Sequence, residues 1–315
     1  EDDIRIRRAL SVAPISFQAE TIVLAGTMGK NIRERLSMVI YAGLVMAILG
    51  LTGLLSTIVT FAGNTIISGM MAGVGIIIAR ISFDMTKENK LVGFVSIGVA
   101  AVVYFFFGRD LVYTIIASLV VSSIVAKLAK QEIGTETVAE KMFHLHFQKP
   151  MLNWNVVRGA LALICLTVGA NIAFGNITGG IANASVNIDH LTVYSGLADA
   201  ISAFFGGGPV EAIISATAAA PHAVLAGVIM MVIMALILFL GLLPKLAKWV
   251  PNQSIAGFLF ILGAVVTVGA DAPAAFVDQP VVGGVTMVVT AATDPFIGLL
   301  SGIVVRFVMG LMGLA

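Results

Sequence analysis

Eight apolar runs, each close to the length of a membrane-crossing helix, constrain this chain most: 34–57, 64–83, 90–107, 110–129, 156–174, 222–243, 253–270 and 295–314. A helix needs about 20 apolar residues to cross the hydrocarbon layer. Two further candidates are weaker, 190–206 because it carries Asp199 and 280–293 because it is short. Composition points the same way. The chain is 59% apolar and 11% charged, against roughly 25% charged residues in a soluble domain. So little polar surface cannot cover a globule in water, whereas lipid tolerates it. The expectation is an all-α polytopic membrane protein, multi-pass, in the plasma (inner) membrane, with the lipid bilayer as its first partner.

Several function classes drop out. A net charge of +1 leaves no nucleic-acid footprint. Cys165, the one cysteine, excludes an internal disulfide. His144 and His146 form H-x-H in a polar stretch, with no third ligand near in sequence, so no metal site is expected. No nucleophile–base pair suggests catalysis. The chain reads as a non-enzyme without a cofactor.

An internal repeat appears at an offset of 188 residues. Gly53-Leu54-Leu55 matches Gly241-Leu242-Leu243, Asn64 matches Asn252, Ile67 matches Ile255 and Gly69 matches Gly257. Asp84 and Asp271 close the matched stretch in each half, and two more spans follow in both. Such repeats are common in secondary transporters. The predicted organisation is a first repeat over 1–129, a polar linker over 130–155 and a second repeat over 156–315. Two spans precede Pro209 but only 13 residues precede Pro14, so the first repeat is expected to lack its first two spans. Lysines and arginines segregate to alternating loops, which supports the span count.

Two segments, 13–28 and 208–220, break the pattern. Each opens on a proline (Pro14, Pro209), each holds a glutamate (Glu20, Glu211), and neither makes a clean span. In 206-GGGPVEAIISATAAAPH-222 the glycines let backbone approach a ligand. Pro209 suits a first helical turn, and Pro221 ends the segment. The reading is a half-helix over 208–220 starting inside the membrane, with Glu211 in its first turn. Free N–H groups at such a start can hold a polar solute. An acid at the bilayer centre costs roughly 2.5–3.5 kcal/mol, so Glu211 needs a ligand, a proton or a partner. The blander alternative is a cap that stabilises the break. In 11-SVAPISFQAETIVLAG-26, Phe17 would stack on a flat ligand, Gln18 would hydrogen-bond it and Glu20 would titrate. Alternatively Phe17 packs in the core and Glu20 faces a neighbouring helix. Asn171, with Asn176 and Thr178, would line the opposite wall, while the glycines around them suit close helix packing. Gly208, Pro209 and Val210 complete the expected substrate site, and Asp189-His190 reads as a loop.

The segments 13-APISFQAE-20, 63-GNTIISGMMAGVGIII-78, 197-LADAISAFFGGGPVEAIISATAAA-220 and 281-VVGGVTMVVTAATDPFIGLLSGIV-304 carry a family likeness. The chain resembles the nucleobase–ascorbate transporter family, the xanthine/uracil permeases, closest to its adenine/guanine/hypoxanthine branch. The resemblance implies two inverted repeats of seven spans, in which spans three and ten each hold a short strand and a half-helix that cross at the substrate. It implies a purine permease working by alternating access, with the proton as coupling ion. Glu211 would bind the base, and Phe17 would match the third-span site. The family's eighth-span acid has no counterpart, since Ala170 and Asn171 stand there. Sulfate permeases share that fold, and 196-GLADAISAFFGGGPV-210 is similar to theirs, so an inorganic anion transporter is the alternative. A non-transporting membrane scaffold or subunit is a second. A homodimer is one open oligomeric state.

Overall fold

Polar caps and glycines cut the apolar sequence into its elements. In chain order these are β1 (Ile15–Phe17), α1 (Ala19–Met28), α2 (Ile32–Leu51), α3 (Leu54–Glu88), α4 (Lys90–Phe106), α5 (Leu111–Leu128), α6 (Trp154–Ala182) and α7 (Ile188–Phe204). Then come β2 (Val210–Ala212), a 3₁₀ turn (Ala216–Ala219), α8 (Ala223–Phe239), α9 (Asn252–Ala275), α10 (Pro280–Ala292) and α11 (Pro295–Leu311). This computed structural model describes residues 11–17, 19–130, 147, 149–242 and 249–313, with the side chains of 19, 20, 23 and 27 left aside. Gln18, His144 and His146 lie outside the described residues.

Asn31, Asn89, Asp110, Asn153, Asn187 and Asp294 each accept first-turn N–H groups of the helix they precede. Lipid could not satisfy those donors. Among the described residues, α2, α3, α5, α6 and α9 are long and apolar enough to cross a membrane, and α4, α8, α10 and α11 are shorter apolar helices. The chain is an integral, multi-pass, all-α membrane protein.

Three expectations need correction. Gly53, at φ 71°, ends the first long run early, so α3 starts at Leu54 and runs 35 residues, kinked at Gly63 where φ is 74°. The carbonyls of Phe61 and Ala62, freed by that kink, accept the two terminal nitrogens of Arg306 on α11 at 2.6 and 2.7 Å. Asp189 and His190 are not a loop. They lie in the first turn of α7, where the Asn187 side chain accepts the His190 N–H at 3.0 Å. Nor is there a half-helix over 208–220. That segment is β2 followed by a single 3₁₀ turn. Pro221 disfavours helical backbone at the residue before it, and Ala220 is accordingly extended, at φ −71° and ψ 150°. Between β2 and that point there is room for one turn.

The two short strands pair antiparallel, with Ile15 opposite Ala212, Ser16 opposite Glu211 and Phe17 opposite Val210. The Ile213 N–H donates to Pro14 O at 3.0 Å and extends the ribbon by one bond.

The repeat is visible in the packing. Gly75 of α3 and Gly263 of α9 stand at the 188-residue offset and touch each other. A Cβ on Gly75 would lie 2.8 Å from Gly263 O, and one on Gly263 would lie 2.5 Å from Gly75 O. Gly69 and Gly257, also at that offset, behave alike. The first abuts Gly283 O of α10 and the second Ser96 O of α4, at 2.7 and 2.1 Å from the added Cβ. Each half thus lays its long span on the helix that follows the other half's long span. The aromatics Phe61 and Trp249 repeat the pattern. Arg306 of α11 lies 5.2 Å from the first ring centroid and Lys127 of α5 lies 4.1 Å from the second. The element order after β1 returns after β2, which makes this an inverted-repeat architecture.

Candidate functional site

The β1–β2 ribbon is clamped by the last turns of α7. Asp199 and Ser202 are three residues apart and so share one helix face. The Asp199 carboxylate accepts the Val210 N–H in a short bond, and Ser202 Oγ donates to Gly208 O at 2.7 Å. The Gly207 N–H returns to Ser202 O at 2.7 Å. Polar backbone this deep in a membrane protein needs such partners. Pro209 is buried and sits just ahead of β2, where a missing N–H costs no ladder bond.

Alternation along a strand then sorts the side chains. Residues opposite one another on an antiparallel pair point to the same face, and successive residues to opposite faces. Glu211 and Ser16 share one face, and Phe17 and Val210 the other. Glu211 is 1% exposed, and its Oε1 accepts hydrogen bonds from Thr21 Oγ1 of α1 and Thr167 Oγ1 of α6, both at 2.8 Å. Phe17 is 51% exposed. It stands beside Gly208 and Ile22, since a Cβ on Gly208 would lie 3.7 Å from Phe17 and from Ile22. Bare backbone, an aromatic ring and the start of α1 therefore border one spot on the outer face of the ribbon.

This arrangement changes the expected site. Glu211 stands in a strand, not in a helical first turn, and looks away from Phe17. The two do not form jaws on one flat ligand. Asn171 is wholly buried, and its Nδ2 donates to Ser195 Oγ at 2.9 Å and Thr192 Oγ1 at 3.3 Å of α7. It joins two helices and lines no open wall. Thr178 Oγ1 bonds Ile213 O at 3.3 Å. Glu20 belongs to α1, and Gly208 and Val210 do flank Phe17. The described residues add Thr21, Thr167, Asp199 and Ser202, which the expected site did not include. Asp199 was legible as an acid inside an apolar span, but the threonines gave no signal.

The chain has the fold of a membrane transporter. It is similar to the transmembrane domain of a cyanobacterium bicarbonate transporter, BicA, with a TM-score of 0.63, 16% sequence identity, and coverage of 93% of this chain and 85% of that chain. No family model and no curated protein matches the sequence. The resemblance to the nucleobase–ascorbate transporters is corrected accordingly. The solved structure that shares this fold across nearly all of the chain is a bicarbonate transporter domain, and the ribbon register removes the base clamp that the resemblance implied.

Proposed function

We propose that this protein is a secondary transporter of a small inorganic oxyanion, with bicarbonate the first candidate. The observation that carries this reading is the direction of Glu211. An ionised carboxylate aimed into the site would repel an anion. Here it faces the other side of the ribbon and is held by two threonine hydroxyls. The Phe17 face offers backbone at Gly208 and Val210 and the start of the ten-residue helix α1. Unpaired N–H groups in a first helical turn carry partial positive charge, which favours an anion. The likeness to a bicarbonate transporter domain supports the same substrate class.

The cargo would bind between β1, the start of α1 and the 208–210 backbone. α2, α6 and α7 would carry that site, and α3, α4, α9 and α10 would stand as the frame beside it. The test is flux in proteoliposomes loaded with bicarbonate, sulfate, hypoxanthine or uracil. The expected result is saturable anion exchange that Phe17→Ala or Gly208→Leu weakens. Saturable purine movement without anion movement would sink the reading.

A further inference from the structure

We infer that Glu211 is a reversible proton site and that its proton travels with the anion. The cargo in this inference rests on the anion reading, whereas the proton rests on geometry at Glu211 alone. Thr167 Oγ1 lies 2.8 Å from Glu211 Oε1 and also 2.9 Å from Leu163 O, one turn back in α6. A threonine hydroxyl has one hydrogen to donate and accepts through its lone pairs. With Glu211 ionised, Thr167 can serve only one of these two acceptors. When Glu211 takes a proton from water, an O–H bond forms on its carboxyl and that hydrogen points to Thr167 Oγ1. Thr167 then turns its own hydrogen to Leu163 O. Both short contacts become hydrogen bonds, and Thr21 still donates to Glu211 Oε1. The pocket thus houses the acid and its carboxylate by rotating one hydroxyl, with no movement of backbone.

Few titratable groups face this carboxyl. β1 presents Ser16, α1 presents Thr21 and α6 presents Thr167, none of which titrates in the ordinary range. α7 presents Asp199, which is near enough to feel the charge of Glu211 and is tied to the Val210 N–H next door. A proton on Glu211 removes negative charge from the ribbon whose other face would bind the anion. Proton and anion then each favour the other's binding, and that reciprocity is obligatory for coupled equilibria.

The experiment has two arms on the purified full chain. In the first, infrared difference spectra follow the carbonyl stretch of a protonated carboxyl as pH falls. The band is expected in the parent, lost in Glu211→Gln and kept in Asp199→Asn. Thr167→Val should displace its pH midpoint, because the relay to Leu163 is gone. In the second, proteoliposomes receive an inward proton gradient. The parent should accumulate bicarbonate or sulfate by up to about tenfold per pH unit, the proton ratio of one unit. Glu211→Gln should exchange the anion downhill without accumulating it. A band that survives Glu211→Gln, an unmoved midpoint in Thr167→Val, or a parent indifferent to the gradient overturns the inference. A band lost in Glu211→Gln with no anion flux in the parent sinks the anion reading and the coupling together, and leaves only the proton site standing.

Discussion

The frame formed by α3, α4, α9 and α10 and the region around the ribbon (α1, α2, α6 and α7) are held together by different chemistry. In the frame the buried polar side chains are hydroxyls: Ser82, Thr86, Ser96, Ser254, Thr286 and Thr290 among them. Its helices touch at glycines, backbone against backbone, and Ser82 and Ser96 reach across to the carbonyls of Ala256 and Ser254 at 2.7 Å. The buried acids Glu34, Asp189, Asp199 and Glu211 all stand in α2, α7 and β2. Each is bonded across an element boundary. Glu34 accepts from Asn153 at the start of α6, and Asp189 accepts the N–H and hydroxyl of Ser56 in α3. Carboxyls can change charge and hydroxyls cannot. The ribbon region is therefore where ions can be handled, and the frame is where rigidity is supplied.

That contrast can be broken most forcefully at the frame's glycines. A Cβ on Gly283 would lie 1.9 Å from Ala275 O, and one on Gly257 would lie 2.1 Å from Ser96 O. Overpacking of this kind costs about 1–3 kcal/mol and sometimes more. Gly283→Ala and Gly257→Ala should sharply lower the yield of monodisperse protein. Gly98→Ala and Gly180→Ala, with nothing within 4 Å, should behave like the parent in the same size-exclusion and thermal-melt assays.

The next effect lies at the ribbon. Asp199→Ala strands the buried Val210 N–H, at a cost of about 1–3 kcal/mol. It should depress both the melting temperature and anion flux, with Asp199→Asn recovering part of each. Equal melts for the alanine and asparagine forms would mean that the acceptor bond is not what holds β2. Arg306→Gln comes third. It weakens two bonds to carbonyls at the Gly63 kink, each charge-assisted bond being worth about 1.5–3 kcal/mol. Hydrogen exchange at 61–66 should quicken while exchange in α7 stays put. Phe17→Ala is the mildest. Its ring is half-exposed, so the melt should stay within about 0.5 kcal/mol of the parent. The half-saturating anion concentration should rise by about tenfold or less, the equivalent of 1.4 kcal/mol. A destabilised Phe17→Ala with unchanged affinity would return that ring to a packing role.

Much of the fold was legible because hydrophobic length is a local property. The runs at 90–107 and 110–129 became α4 and α5 almost unaltered. Breaks were harder to read. Gly63 lies in unbroken apolar sequence, and only the carbonyl partners offered by Arg306, 243 residues away, mark it as a kink. Pro209 and Pro221 announced a special segment, but a half-helix needs more room than the extended residue before Pro221 leaves. The direction of Glu211 depends on pairing Ser16 with a residue almost 200 positions later, which no local pattern contains. Thr21 and Thr167 were silent because threonines in apolar helices ordinarily bond their own carbonyls. The family resemblance placed Phe17 and Glu211 at one crossing and missed that the crossing has two sides.

The mutual contact of Gly75 and Gly263 works like an axle. Each backbone bars the other from coming closer, from both directions at once. A slide of one half past the other would drive a carbonyl into an α-carbon, whereas a turn about the line joining the two glycines leaves their separation untouched. Rocking is thus the motion this junction permits, and shearing is the one it forbids.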